Sequence, residues 1–142
     1  MMKQKEKEIR NEIALGIVKN KEGKIIIINR LWKEKSADGL AMLTYAFPGG
    51  NIDPGETPQE SVAREVRSET GLKVKVLRKI SERIHPQFAA SIKYYECEMI
   101  PSASRPIFDV HEVESVKWVS PNEIRNYFTT DLDPKVAKFL GI

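Results

Sequence analysis

Glu65 and Glu69 stand four residues apart in the stretch ESVAREVRSETGL. If that stretch is helical, the two side chains share one face, one turn from each other. Paired carboxylates repel, by roughly a few tenths of a kcal/mol on an exposed helix and by more when partly buried. A divalent cation between them reverses the sign of that interaction. Oxygen ligands of this kind suit Mg²⁺, which keeps some of its waters and shares its shell with substrate phosphates. On an isolated helix, two such acids are more often a solvated face than a site, so what positions them decides the reading.

The flanking residues supply a positioned helix. Thr57 sits at the N-cap, Pro58 at the first helical position and Glu60 three residues after Thr57, the spacing of a capping box. The helix is expected to end near Thr70, with Gly71 as a left-handed cap. On a helical wheel the two acids border the apolar arc of Val62, Ala63 and Val66, so they flank the side packed inward. A turn-rich loop precedes the helix: Pro48, the Gly49-Gly50 pair, then Asp53-Pro54-Gly55. Such residues provide the fixed and positive φ values of a tight, irregular loop.

Residues 50–72 resemble the Nudix box, G-x5-E-x7-R-E-U-x-E-E-x-G-U with U aliphatic. Gly50, Glu56, Arg64-Glu65-Val66, Glu69, Gly71 and Leu72 match it in spacing, and Ser68 stands where the pattern has an acid. Outside the box, Arg30 after the second strand, Tyr45 and Phe47 in TYAFPGG and the stretch VESVKWVSPNEI around Trp118 are similar to the nucleotide-pool members, which usually carry Trp where this chain has Tyr45. The resemblance implies an α/β/α sandwich with a mixed sheet and Mg²⁺-dependent (or Mn²⁺-dependent) hydrolysis of a diphosphate linkage in a nucleoside triphosphate or other nucleoside diphosphate derivative. It implies Glu65, Glu69 and the Gly50 carbonyl as metal ligands. It places Arg30, Tyr45, Phe47, Gly49 and Gly50 at the substrate, and Arg64 paired with Glu56 to lock loop against helix beside the catalytic acids. An acid before Trp118 would add a ligand or the general base. Glu112 is the first choice, with Glu114 and Asp109 behind it.

Ser68 leaves alternatives open. A neutral hydroxyl is a poor Mg²⁺ ligand, though it could orient a metal-bound water. The chain could bind metal weakly, hold fewer ions, or serve as a non-catalytic nucleotide-binding module. Hydrolysis of a nucleotide sugar or an RNA 5′ end is a further alternative.

The remaining sequence reads as one domain of 142 residues with a charged N-terminal tail over 1–11. Hydrophobic residues make up 41% and charged residues 30%, which is ordinary for a globular chain with one core. The net charge of +3 is too small to suggest a nucleic-acid surface. No apolar run is long enough for a signal core or a membrane span, so a cytoplasmic location is the default expectation. Nothing in the sequence distinguishes a monomer from a homodimer. The lone Cys97 excludes an internal disulfide and reads as a small buried hydrophobe. Strands are expected over residues 12–18, 24–29, 43–47, 73–84, 91–100 and 114–119, with short helices over 121–128 and from Asp133-Pro134 to Gly141. Over 91–100, Tyr95, Cys97 and Met99 alternate with Tyr94, Glu96 and Glu98, which suggests a half-buried strand. The first two strands should pair as a hairpin, and 31–43 should be a polar loop carrying Trp32. Tyr95 and Trp118 read as core. His85 and Phe88 fall in a loop where Phe88, like Trp32, could reach a base.

Overall fold

Ile25, Ile26, Ile27 and Ile28 are all buried, so this strand is covered on both faces instead of alternating in and out. Ile25 and Ile27 pack with Ile17, Phe47, Val119 and Val136, while Ile26 packs with Ala14, Val18, Val62 and Val66 on the other side. Two cores on opposite faces of one sheet are the outcome.

The computed structural model describes residues 11–101 and 112–142. Its strands are β1 (Asn11–Lys19), β2 (Ile25–Lys35), β3 (Met42–Ala46), β4 (Gly49–Asn51), β5 (Val74–Ile84), β6 (Ala90–Met99) and β7 (Val113–Val119). Helix α1 (Pro58–Thr70) follows β4; a 3-10 turn (Pro121–Glu123), α2 (Ile124–Tyr127) and α3 (Pro134–Leu140) follow β7. The strands form a seven-stranded mixed sheet ordered β3-β2-β1-β6-β5, with β4 on β1 and β7 on β2. Val62 and Val66 of α1 bury one face, and Ile124, Val136 and Leu140 of α2 and α3 bury the other. This is the α/β sandwich with a mixed sheet that the sequence implied.

The helix signals act as expected. Thr57 Oγ1 accepts from the Glu60 N–H at 3.1 Å and Glu60 Oε1 accepts from the Thr57 N–H at 2.8 Å, completing the capping box. Gly71 (φ 78°) closes α1 by donating its N–H to the Arg67 carbonyl.

Three expectations are refined or corrected. First, the expected hairpin forms, with β1 and β2 antiparallel across the turn at 20–24, but its ladder is short, a single pair of Lys19 with Ile25. The rest of β1 runs parallel to β6 and antiparallel to β4, and β2 pairs with β7 and β3, so the remaining edges are taken. Second, the expected loop over 31–43 is mostly strand. β2 continues to Lys35, pairing Glu34 and Lys35 with Leu43 and Met42, and only 36–41 turns. Residues 31–35 are exposed, so no hydrophobic alternation marked them. Third, β6 is not half-buried. Tyr94 and Tyr95 are both buried, one in each core, because helices cover both faces.

Of the expected N-terminal tail, Asn11 opens β1 and the other ten positions lie outside the described residues, as do most of the loop after Pro101 and Asp109. Cys97 is buried, and burial pushes its thiol up to about 12, so it stays a neutral hydrophobe. Among the described residues no helix is long and apolar enough to cross a membrane.

Candidate active site

Helix α1 lies with its acid-bearing edge over the start of β4. Glu65, Glu69 and Glu112 each bring a carboxylate oxygen within 4.8 Å of the others. Glu69 is 4% exposed, and its Oε1 accepts from the Gly49 N–H at 2.8 Å. Burial pushes its carboxyl up to about 8, against the Gly49 hydrogen bond, and the charges of Glu65 and Glu112 push the same way as burial. Glu65 is also raised, by burial first, with the neighbouring Arg64 charge opposing. Three acids so close repel each other's ionised forms, and a cation among them would relieve that repulsion.

The Gly49-Gly50 pair makes this closeness feasible. β4 pairs with β1 at Leu15–Gly49 and Ala14–Gly50. Gly49 has φ +148°, and a Cβ there would lie 2.2 Å from the Ala14 carbonyl oxygen. At Gly50 a Cβ would meet Glu65 Oε2 at 2.3 Å. Gly50→Ala is therefore expected to displace the Glu65 carboxylate while the backbone holds. The expected result is an activity loss of about 100-fold with little change in melting temperature; a large drop in melting temperature would show that the strain spreads into the sheet.

Arg64 locks the loop to the helix. Its Nε and Nη2 donate to Glu56 Oε2 and Oε1 at 2.7 and 3.0 Å, a two-point pair, and Nη1 donates to Glu65 Oε1 at 2.6 Å. Nη2 also lies 3.3 Å from Asp53 Oδ2. The Arg64 hydrogen bonds draw the Glu56 carboxyl down to about 2, and Glu56 in return raises the Arg64 guanidinium. Glu56 and Arg64 thus restrain one oxygen of Glu65 from the side.

Glu112 and Arg30 arrive from the other strand pair. β2 and β7 shift register between Asn29 and Arg30, so that Arg30 faces Val113 and the Leu31 N–H donates to the Glu112 carbonyl at 2.8 Å. Such a bulge re-aims side chains at a sheet end. Glu114 instead accepts from Asn29 Nδ2 at 3.1 Å and lies 3.4 Å from Lys33 Nζ, outside the carboxylate cluster.

A cleft of about 700 Å³ joins these groups. Arg30, Tyr45, Phe47, Gly49, Gly50, Arg64, Glu65, Glu69 and Glu112 all line it, and Ser68 and Asp53 lie on its wall. Glu56 does not line it and reaches it through Arg64. Trp32, which the sequence put in a loop, is on β2, is 69% exposed and borders the cleft. Tyr45 packs edge-on to Tyr127 with ring centroids 5.1 Å apart, and Phe47 packs on Phe128 at 4.9 Å. His85 is buried, its Nδ1 accepts from the Gln87 N–H at 3.0 Å, and burial lowers its pKa. Thr130, Asp131 and Leu132 also form cleft wall. Sequence reasoning saw in that segment only the helix start at Asp133-Pro134, since no motif marks an irregular connection. All the acids of the cluster offer oxygen, with no thiol or imidazole among them, which is the donor chemistry of a hard divalent cation.

The NUDIX domain profile matches residues 10–140. The chain is 39% identical over 61 residues to the 8-oxo-dGTP diphosphatase of Escherichia coli (strain K12), a match covering 43% of each protein. The chain thus spans less than half the length of that relative. It is 24% identical over 132 residues to the CTP pyrophosphohydrolase of the same organism, covering 92% of both. A solved NUDIX hydrolase from Nitrosomonas europaea superposes with a TM-score of 0.66 at 18% identity over 92% of this chain and 84% of that one, a likeness of fold.

Proposed function

The chain belongs to the Nudix hydrolase family, and from that premise we propose that it hydrolyses a diphosphate linkage in a nucleoside triphosphate or another nucleoside diphosphate derivative, with Mg²⁺ or Mn²⁺ as cofactor. The observation that carries the proposal is the convergence of Glu65, Glu69 and Glu112 within 4.8 Å on a cleft that Arg30 also lines. Relatives acting on 8-oxo-dGTP and on CTP favour a nucleotide as substrate.

The three carboxylates, with the Gly50 carbonyl, would hold the ion. When bound, it would supply neutralisation of phosphate charge and activation of water. The chain's own residues do the rest. The Gly49 N–H orients the Glu69 carboxylate, and the Arg64 clamp orients that of Glu65. Arg30 would pair with phosphate oxygens, as a guanidinium does in two-point geometry. Water attacks one phosphorus, the bridging P–O bond breaks, and its electron pair leaves on the departing phosphate. Glu112, the exposed member of the cluster, would take the water's proton at a carboxylate oxygen not given to the ion. Most of the rate would come from positioning and electrostatics.

Ser68 favours a second reading, a nucleotide binder without catalysis, because it puts a hydroxyl on the cleft wall where the family pattern has an acid. Two experiments separate the readings. The first is phosphate and pyrophosphate release from ordinary and oxidised nucleoside triphosphates, a nucleotide sugar and a 5′-triphosphorylated RNA, with and without chelator. Chelator-sensitive turnover of one class supports hydrolysis and names the substrate. Nucleotide binding without turnover supports the binder. The second is Ser68→Glu, expected to tighten metal binding about tenfold; an unchanged metal titration would place Ser68 outside the ion's reach.

A further inference from the structure

The connection over 128–133, between α2 and α3, has no regular structure yet supplies cleft wall through Phe128, Thr130, Asp131 and Leu132. It is tethered at both edges of the sheet. Thr129 Oγ1 donates to the Met42 carbonyl of β3, and Asp133 Oδ2 accepts from Ser81 Oγ of β5 at 2.8 Å. β3 and β5 stand at opposite ends of the strand order.

Asp131 is held most completely. Its N–H donates to Gln87 Oε1 at 2.7 Å, its carbonyl accepts from Arg83 Nη2 at 3.1 Å, and its Oδ1 accepts from Arg83 Nη1 at 2.7 Å. One guanidinium therefore fixes both the backbone and the side chain of a wall residue, which its rigid fork of donors suits. Arg83 and Gln87 themselves do not line the cleft. The Arg83 side chain is only 19% exposed, and its buried Nε forms an ion pair with Asp133 Oδ2 at 3.5 Å, outside hydrogen-bond geometry.

We propose that Arg83, assisted by Gln87, is a positioning residue that sets substrate affinity and the choice between nucleobases by holding the 128–133 wall through Asp131, with no part in the chemical step. The proposal rests on the hydrolase reading above. The carboxylates and Phe128, Thr130, Asp131 and Leu132 line one cleft, so with the diphosphate at the carboxylates this wall is within the space open to the remainder of the nucleotide.

The test is steady-state kinetics of the full chain with Mg²⁺ on one purine and one pyrimidine nucleoside triphosphate. Arg83→Met, Arg83→Lys and Gln87→Leu are compared with wild type, with thermal melts to verify folding. Arg83→Met should raise KM by about tenfold or more with kcat within about twofold, and the purine-to-pyrimidine ratio of kcat/KM should move toward one. Arg83→Lys should recover part of the loss. Gln87→Leu, which leaves the buried charge cluster intact, should show the same pattern more weakly and decides the matter if Arg83→Met fails to fold. A fall in kcat at constant KM, or no change in KM and base preference, would overturn the proposal while leaving the hydrolase reading standing. A folded wild type that neither binds nor turns over any nucleotide would refute the hydrolase reading, and this proposal with it.

Discussion

Glu69→Gln lowers metal-dependent kcat/KM by about 10²–10³-fold or more and leaves the protein folded. Glutamine has the same shape and can still accept the Gly49 N–H through its side-chain oxygen, so the contact seen at 2.8 Å survives. What disappears is the negative charge at the most buried member of the cluster, where a charged group counts most. The substitution also has a signature independent of catalysis. The Glu69 carboxyl is raised from its ordinary 4.5 to about 8, chiefly by burial. Between those values the folded chain binds a proton that the unfolded chain has released. The stability this confers is complete below about 4.5 and is lost as pH rises through about 8. Metal-free wild type should lose up to about 1.4 kcal/mol per pH unit across that window relative to Glu69→Gln. Urea melts in chelator at pH 5 and pH 9 would show it. Mg²⁺ should offset the loss at the higher pH, because the ion needs the deprotonated carboxylate. Retained turnover in Glu69→Gln would remove Glu69 from the ligand set, and parallel pH profiles would mean its carboxyl is not perturbed by burial.

The second large effect falls on stability. Gly49→Ala should destabilise the fold by roughly 3 kcal/mol or more. An added Cβ would meet the Ala14 carbonyl oxygen at 2.2 Å and Leu15 Cα at 2.7 Å, both backbone atoms of β1. Neither can swing aside as a side chain could. The φ of +148° is itself a region that residues other than glycine rarely occupy. Relief would require breaking the β1–β4 pairing, which also carries the Gly49 N–H that holds Glu69. Equilibrium urea unfolding measures this directly, and an unchanged midpoint would mean that β4 packs more loosely on β1 than the structure has it. The contrast with Gly50 is instructive. There the obstacle is the end of the Glu65 side chain, so activity should suffer before stability does.

Local signals explain what was legible in the sequence. The capping box, the Gly71 cap and the four isoleucines act within a few residues of themselves, and the structure forms the elements they announce. Glu65 and Glu69 are neighbours because of helical period alone. Glu112 could be ranked above Glu114 only by resemblance, because the register shift between Asn29 and Arg30 that carries Glu112 to the cluster depends on pairing between distant strands. The extension of β2 was hidden for a related reason: residues 31–35 are exposed, and only their partners in β3 make them strand. Similarly, Arg83 sits in a strand of ordinary charged composition. Its importance is visible only once 128–133 is seen lying against it.

The most direct measurement is a Mn²⁺ titration followed by electron paramagnetic resonance, on wild type and Glu69→Gln at pH 8, with Mg²⁺ as competitor. The account predicts saturable Mn²⁺ binding to wild type, displacement by Mg²⁺, and loss of that binding in the variant. Absence of bound Mn²⁺ in wild type, or equal binding in both proteins, would contradict the claim that Glu65, Glu69 and Glu112 form a metal centre.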